Sequence, residues 1–245
     1  MSTEPALRWS SAGLTDVGRL REINEDALLE NPEKGLWAVA DGMGGHHAGD
    51  VASRMTVQAL DDLELGPRLS HQVAAIEDCL IGVNWELLEM ARKRGPGNMM
   101  GTTVVALLVH GRYGMFLWAG DSRAYLYGDG ILELVSQDHS HVQELVDQGL
   151  LLREDAHAHP EANIITRAVG ASEPLFLDME VMELQAGDRV LLCSDGLYRE
   201  LSDEEIAAGM VAGNCADACR DLVELALQRG GRDNVSAVIV EFEAR

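Results

Sequence analysis

Apolar residues in this chain gather into short runs punctuated by glycine, serine and aspartate, and the spacing within each run changes along the sequence. Residues 35–41 are apolar almost throughout and of strand length, which predicts a buried strand ending in a turn. A helix is predicted over 50–63. Over 70–94, Val73, Ile76, Leu80, Val83, Leu87 and Ala91 recur in steps of three and four, the stripe of a helix lying on a core. Ser70 is its expected N-cap, and Gly95, Pro96 and Gly97 stop it. Closely spaced strands follow at 102–109, 113–119 and 122–127, and the short glycine-containing turns between them predict antiparallel hairpins. Residues 139–170 are polar with little strand pattern and read as a helix plus an excursion. A strand at 189–194, helices at 202–210 and 215–228, and a last strand at 235–242 complete the series. Asp203, Glu204 and Glu205 fill the first turn of the 202–210 helix, where its dipole favours negative charge.

Runs of strands alternate with helix pairs, so the predicted class is α+β with antiparallel sheets rather than a doubly wound parallel sheet. No repeat, low-complexity tract or linker breaks the composition, which predicts one domain over 1–245. A 47% hydrophobic content suffices for a core. The first eleven residues lack the apolar stretch of a secretion leader, and no apolar run reaches membrane-span length; the expectation is a cytoplasmic protein without membrane contact.

Charge and cysteine usage narrow the chemistry. Acidic residues number 41 against 19 basic ones, a net charge of -22, which disfavours nucleic-acid binding and with it a two-metal nuclease. The cysteines (Cys79, Cys193, Cys215, Cys219) form no CxxC pair and no zinc spacing with histidine. Cys215 and Cys219, one helical turn apart, are expected to face a core as reduced thiols.

Aspartates recur where strands end. Glu25 and Asp26 precede the apolar patch 27–29, Asp41 and Gly42 follow a strand, Asp121 lies between two, Asp195 follows another and Asp233 precedes the last. One Asp-Gly is ordinarily a β-turn. Five acidic sites beside apolar strands predict convergence at one edge of a sheet sandwich, and carboxylates suit hard divalent cations. The spacing is not that of an EF-hand loop.

Arg21 to Asp26, Asp41 to His46, Gly101 to Thr103, Gly120 to Arg123, Ser194 to Leu197 and Gly231 to Asn234, taken in that order, resemble the motifs of the PPM (PP2C-type) protein phosphatases, in their compact bacterial branch. The resemblance implies two antiparallel β-sheets packed as a sandwich with helices on both outer faces. It implies a metal-dependent serine/threonine protein phosphatase that hydrolyses phosphoserine and phosphothreonine by direct attack of a metal-bridging water, opposing a Ser/Thr kinase. By position, Asp41 bridges two Mn²⁺ or Mg²⁺ ions, Asp195 and Asp233 complete one, and the Gly42 carbonyl binds the other. Glu25 and Asp26 hold metal-bound waters, Arg21 clamps the phosphate, and Asn234 supports the cluster. Asp121, with Asp195, matches a third, weaker metal position. Met43 stands where eukaryotic members carry a proposed general-acid histidine; His46 and His47 follow it. Residues 139–170 match a flap beside the site, and His71, His110, His141 and His157 are expected to be surface or packing residues. The expected partners are phosphorylated proteins and a cognate kinase, and the expected state is a monomer. The alternative is a regulatory pseudophosphatase, a binding module that keeps the fold; loss of a core aspartate would signal it, and none is lost.

Overall fold

The computed structural model describes residues 7–45 and 47–245. Strands β1 (Leu7–Asp16), β2 (Asp26–Asn31) and β3 (Leu36–Met43) lead into helices α1 (Ala48–Asp61) and α2 (Leu69–Arg94). Next come β4 (Gly101–Thr102), β5 (Val104–His110), β6 (Tyr113–Ala119), β7 (Arg123–Gly128) and β8 (Ile131–Leu134). Helix α3 (His141–Asp147) and a 3₁₀ segment (Arg153–Ala158) precede β9 (Asp178–Glu183) and β10 (Arg189–Cys193). Helices α4 (Asp195–Tyr198), α5 (Asp203–Met210) and α6 (Cys215–Arg229) then lead to β11 (Val235–Ala244).

The strands form two antiparallel sheets, one in the order β1-β11-β10-β7-β8 and the other β2-β3-β5-β6-β9, with β4 paired to β3. The central strand β5 is apolar on both sides because both its faces are covered, and its side chains alternate between two cores. Val104, Ala106 and Leu108 join Ile76, Leu80 and Leu87 of α2 and Ala52 of α1 on the outer face. Val105, Leu107 and Val109 point inward and meet Val190, Leu192, Val238 and Phe242 of the other sheet. The second sheet's outer face is covered by α5 and α6 through Ile206, Met210, Cys219, Leu222 and Val223. The four layers, helix–sheet–sheet–helix, are those expected.

The structure corrects several local expectations. Ser70 is not the cap of α2: the helix begins at Leu69 with Arg68 at the N-cap, so Ser70 lies in its first turn. The strand expected to turn at Asp41 continues to Met43, because β4 supplies Gly42 and Met43 with partners. The strand expected over 102–109 is two strands broken at Thr103, whose hydroxyl accepts from the Asp41 N–H at 2.9 Å. Asp195 opens the short helix α4 instead of a plain turn, with Ser194 at the N-cap. Four strands, β1, β2, β8 and β9, had no predicted counterpart, although the apolar patch 27–29 lies within β2.

Candidate metal centre

The loops at one end of the sandwich bring together acids from both sheets. Asp26 and Asp41 are direct partners in the β2–β3 register. Asp121 lies between β6 and β7, Asp195 begins α4 after β10, and Asp233 precedes β11. The charges of Asp26, Asp121, Asp195 and Asp233 all bear on Asp41, whose pKa stands well above the usual carboxylate range, first through burial and then through those neighbours. Burial followed by Asp195 raises both Asp26 and Asp121 to about 7. Asp195 itself is raised, mainly by burial.

Hydroxyls and backbone fix these side chains. Asp26 Oδ2 accepts from Ser194 Oγ and Ser236 Oγ, each at 2.7 Å. The Asp41 carbonyl accepts from Thr103 N at 2.8 Å and Thr102 Oγ1 at 2.9 Å. Asn234 accepts from the Glu25 N–H and donates to the carbonyls of Val17 and Ile23, tying the loop before β2 to the foot of β11. The start of α1 faces Glu25: a Cβ on Gly49 would lie 2.6 Å from Glu25 Oε1 and 2.7 Å from the Gly42 carbonyl carbon. Glycine is required at 49 for that approach. Glu25 is raised above its ordinary pKa, chiefly by burial.

Arginines touch three of the acids. Arg21 Nη2 pairs with Asp233 Oδ2 at 2.7 Å. Arg199 Nε pairs with Asp195 Oδ2 at 2.9 Å, and its Nη2 lies 3.3 Å from Asp121 Oδ2. Arg21, Glu22, Ile23, Glu25, Gly44 and His47 line an open cleft of about 280 Å³ beside the acids.

Among the described residues, no three acidic, histidine or cysteine side chains close on one point as a finished metal cage. The donor set nevertheless fits hard cations. Asp26, Asp50, Asp121 and Asp195 each keep a buried Oδ1 without a hydrogen-bond partner. Buried oxygens left bare beside other carboxylates are costly unless a proton or a cation joins them.

Sequence reasoning named Arg21, Glu25, Asp26, Asp41, Gly42, Asp121, Asp195, Asp233 and Asn234, and all lie at this end of the molecule. It missed Asp50, although an acid in the first turn of the helix that follows the glycine-rich turn is a readable signal. It also missed the hydroxyls of Thr103, Ser194 and Ser236 and the guanidinium of Arg199, whose spacing carries no signal. His46 lies outside the described residues; His47 is exposed in the left-handed region, with φ 61°. His110 bonds Gln72 and His141 pairs with Glu161, away from the acids. Buried Cys193 and Cys219 have thiols pushed up to about 12 by burial, so neither is a ready nucleophile.

The family description Protein phosphatase 2C matches residues 19–241, nearly the whole chain. The chain belongs to the protein phosphatase 2C family. Within that family it is 39% identical over 230 residues to the serine/threonine protein phosphatase PstP of Mycobacterium tuberculosis, covering 94% of this chain and 44% of PstP. The chain thus spans less than half the length of that relative. The solved structure of PppA, described as a key regulatory component of T6SS in Pseudomonas aeruginosa, is 41% identical with a TM-score of 0.91, over 98% of this chain and 100% of that one. The PstP catalytic domain in complex with two manganese ions superposes with a TM-score of 0.83 at 37% identity, over 97% of this chain and 99% of that one. The protein phosphatase 2C fold accounts for the two sheets and the helices outside them.

Proposed function

We propose that the chain is a metal-dependent serine/threonine protein phosphatase. The observation that carries this reading is a group of acids with raised pKa values, Asp26, Asp41, Asp121 and Asp195, of which Asp26, Asp121 and Asp195 keep a bare buried oxygen, beside a cleft holding Arg21. The mycobacterial relative's manganese pair supports Mn²⁺ or Mg²⁺ as the cofactor. In this reading Asp41, Asp195, Asp233 and the Gly42 carbonyl hold two divalent ions, with Glu25 and Asp26 behind them and Asp121 beside Asp195 for a weaker third.

When bound, such ions supply Lewis acidity and a water activated near neutral pH. The chain's own residues do the rest. Ser194 and Ser236 hold the Asp26 carboxylate in one orientation. Arg21 offers paired N–H donors to a phosphate dianion, with Nη2 bonded to Asp233 in this state. The open cleft admits a phosphorylated side chain on a protein surface, and Asn234 keeps the loop bearing Arg21 and Glu25 in register. The substrates are phosphoserine and phosphothreonine proteins, products of a kinase that this enzyme opposes. The reading includes one catalytic domain, with residues 139–170 as a wall beside the site, acting as a monomer in the cytoplasm. Among the described residues, no helix is long and apolar enough to cross a membrane.

The test is phosphate release from a phosphothreonine peptide by the purified chain with Mn²⁺, with Mg²⁺ and with chelator. Turnover that needs the metal is the expected result. No turnover despite bound Mn²⁺ would leave the chain a binding module.

A further inference from the structure

A second hollow lies one layer of backbone away from the cleft. The last turns of α2, the 95–99 loop and residues 170–171 enclose a groove of about 550 Å³. Leu88, Ala91, Pro96 and Met99 give it apolar walls, and Arg92 lines it with a side chain 60% exposed. Met99 joins the groove to the cleft. A Cβ on Gly44, which lines the cleft, would lie 2.6 Å from the Met99 carbonyl oxygen.

The charge beside this groove is opposite to that of the molecule. Arg92, Lys93 and Arg94 are the one run of three basic residues in a chain of net charge -22, and all three are exposed. Arg123, Arg167, Arg189 and Arg232 are each held by a carboxylate. Arg92 pairs with Glu89 at 2.6 Å, but Lys93 and Arg94 meet no acid among the described residues. Basic residues at a helix C-terminus also suit its dipole. The carbonyls there are already served, because Asn98 Nδ2 donates to those of Arg94 and Gly95 at 3.0 and 3.1 Å. Trp85, Leu88 and Arg92 follow at steps of four and three, so they share one face of α2. Trp85 is 56% exposed. Tryptophan and arginine are the side chains enriched at the centres of protein interfaces.

A phosphoprotein brings a dianion to a molecule that is itself strongly acidic, and the two repel at long range. A basic patch next to the cleft offsets this for a substrate with acidic residues near its phosphorylated one. We propose that the groove, with Arg92, Lys93 and Arg94, is a docking surface for an extended acidic segment of the phosphoprotein substrate, with Trp85 and Met99 as its apolar contacts. Naming the occupant a substrate rests on the phosphatase reading above; the affinity for acidic peptide does not.

Two measurements test this. The first is fluorescence anisotropy of a labelled, unphosphorylated peptide rich in Asp and Glu, on metal-free protein at low salt. The second is Mn²⁺-supported hydrolysis of phosphothreonine peptides with acidic residues on either flank or on neither, and of p-nitrophenyl phosphate, which has no flank. The proteins are wild type, Lys93→Glu/Arg94→Glu, Trp85→Ala and, as a control, Arg8→Glu/Arg220→Glu, which makes the same charge change on β1 and α6 of the other sheet's side; all these side chains are exposed. Wild type should bind the acidic peptide, more weakly as salt rises. Lys93→Glu/Arg94→Glu should bind about tenfold more weakly, Trp85→Ala about threefold, and the control within about twofold of wild type. In wild type, kcat/KM for one acid-flanked phosphopeptide should exceed that for the neutral one about tenfold, through KM, and Lys93→Glu/Arg94→Glu should abolish the difference. Turnover of p-nitrophenyl phosphate should stay within about twofold throughout. No binding by wild type, equal affinity in Lys93→Glu/Arg94→Glu, or an equal loss in the control would overturn the docking surface. Binding without any preference in kcat/KM would overturn the substrate as its occupant. Failure of wild type to hydrolyse any of these esters with Mn²⁺ would overturn the phosphatase reading and that occupant together, while the peptide affinities would still decide the surface.

Discussion

Asp41 stands at the point where both sheets contribute charge. Its backbone is held on both sides by Thr103, so truncating the side chain removes a donor without loosening the strand. Asp41→Ala and Asp195→Ala are each expected to lower phosphopeptide turnover about a hundredfold or more with the far-ultraviolet circular dichroism unchanged. Turnover within about fivefold of wild type at saturating Mn²⁺ would remove either residue from the centre. Arg21 is half exposed and its pairing with Asp233 is replaceable. Arg21→Ala should raise KM several-fold, and Arg21→Lys should restore little of it, since one ammonium cannot present paired donors. These acids were legible in the sequence because each follows or precedes an apolar run whose end is easy to see. The hydroxyls that orient them were not, because Ser194 and Ser236 meet Asp26 only after strands far apart in sequence pair, and no local pattern encodes that.

At the scale of elements, the strands found by pattern were the interior ones. β5, β6, β10 and β11 are buried on both faces and therefore read as continuous apolar runs. The strands missed were β1, β2, β8 and β9, and each is the edge of its sheet. An edge strand with one wet face can be built from Ser, Gly and Glu, as in β1 and β9, so composition did not distinguish it from loop. α5 was legible from the three acids in its first turn, to which the structure adds a capping box between Ser202 and Glu205. α1 carries the site-bearing contact that the pattern did not show, the approach of Gly49 to Gly42 and Glu25. Gly49→Ala would place a methyl 2.6 Å from Glu25 Oε1, so α1 must shift or Glu25 must swing away. The expected outcome is a loss of about 1–3 kcal/mol in urea unfolding and a weakened Mn²⁺ site by calorimetry. Full stability with native metal affinity would show that α1 tolerates the displacement.

For the whole molecule, the acids set how stability depends on pH and metal. In the folded chain Asp26 and Asp121 hold their protons up to about 7, whereas the same groups ordinarily lose them near 3.8. Between those limits the folded state binds more protons than the unfolded one, so stability falls as pH rises. The metal-free protein is therefore expected to have a higher Tm near pH 5 than at pH 7.5, with the slope flattening above about 7. A divalent cation can take the place of those protons, so Mn²⁺ should raise Tm most at the alkaline end, by mass action on the folded state. Asp26→Asn should reduce the slope. A metal-free Tm that climbs from pH 5 to 7.5 would contradict the assignment of raised pKa values to these groups. The antiparallel α+β class was legible in the order of strands and helix pairs, whereas the four-layer sandwich was implied by the resemblance of the ordered motifs to the phosphatase family.

The pairing of β11 between β1 and β10 has a consequence for how the molecule is made. Leu7 lies opposite Ala244, and Asp16 opposite Val235. Of the strands described, the one that completes the sheet is thus the last to be synthesised, and the first strand must wait for it across more than two hundred residues. Contacts of such long range form slowly. Asp233 and Asn234 sit immediately before β11, so the metal centre is finished in the same event. A nascent chain still lacking the ten residues of β11 has every acid of the centre already synthesised, yet the sheet that sets Asp233 in place is incomplete, so the centre can assemble only once β11 has been made.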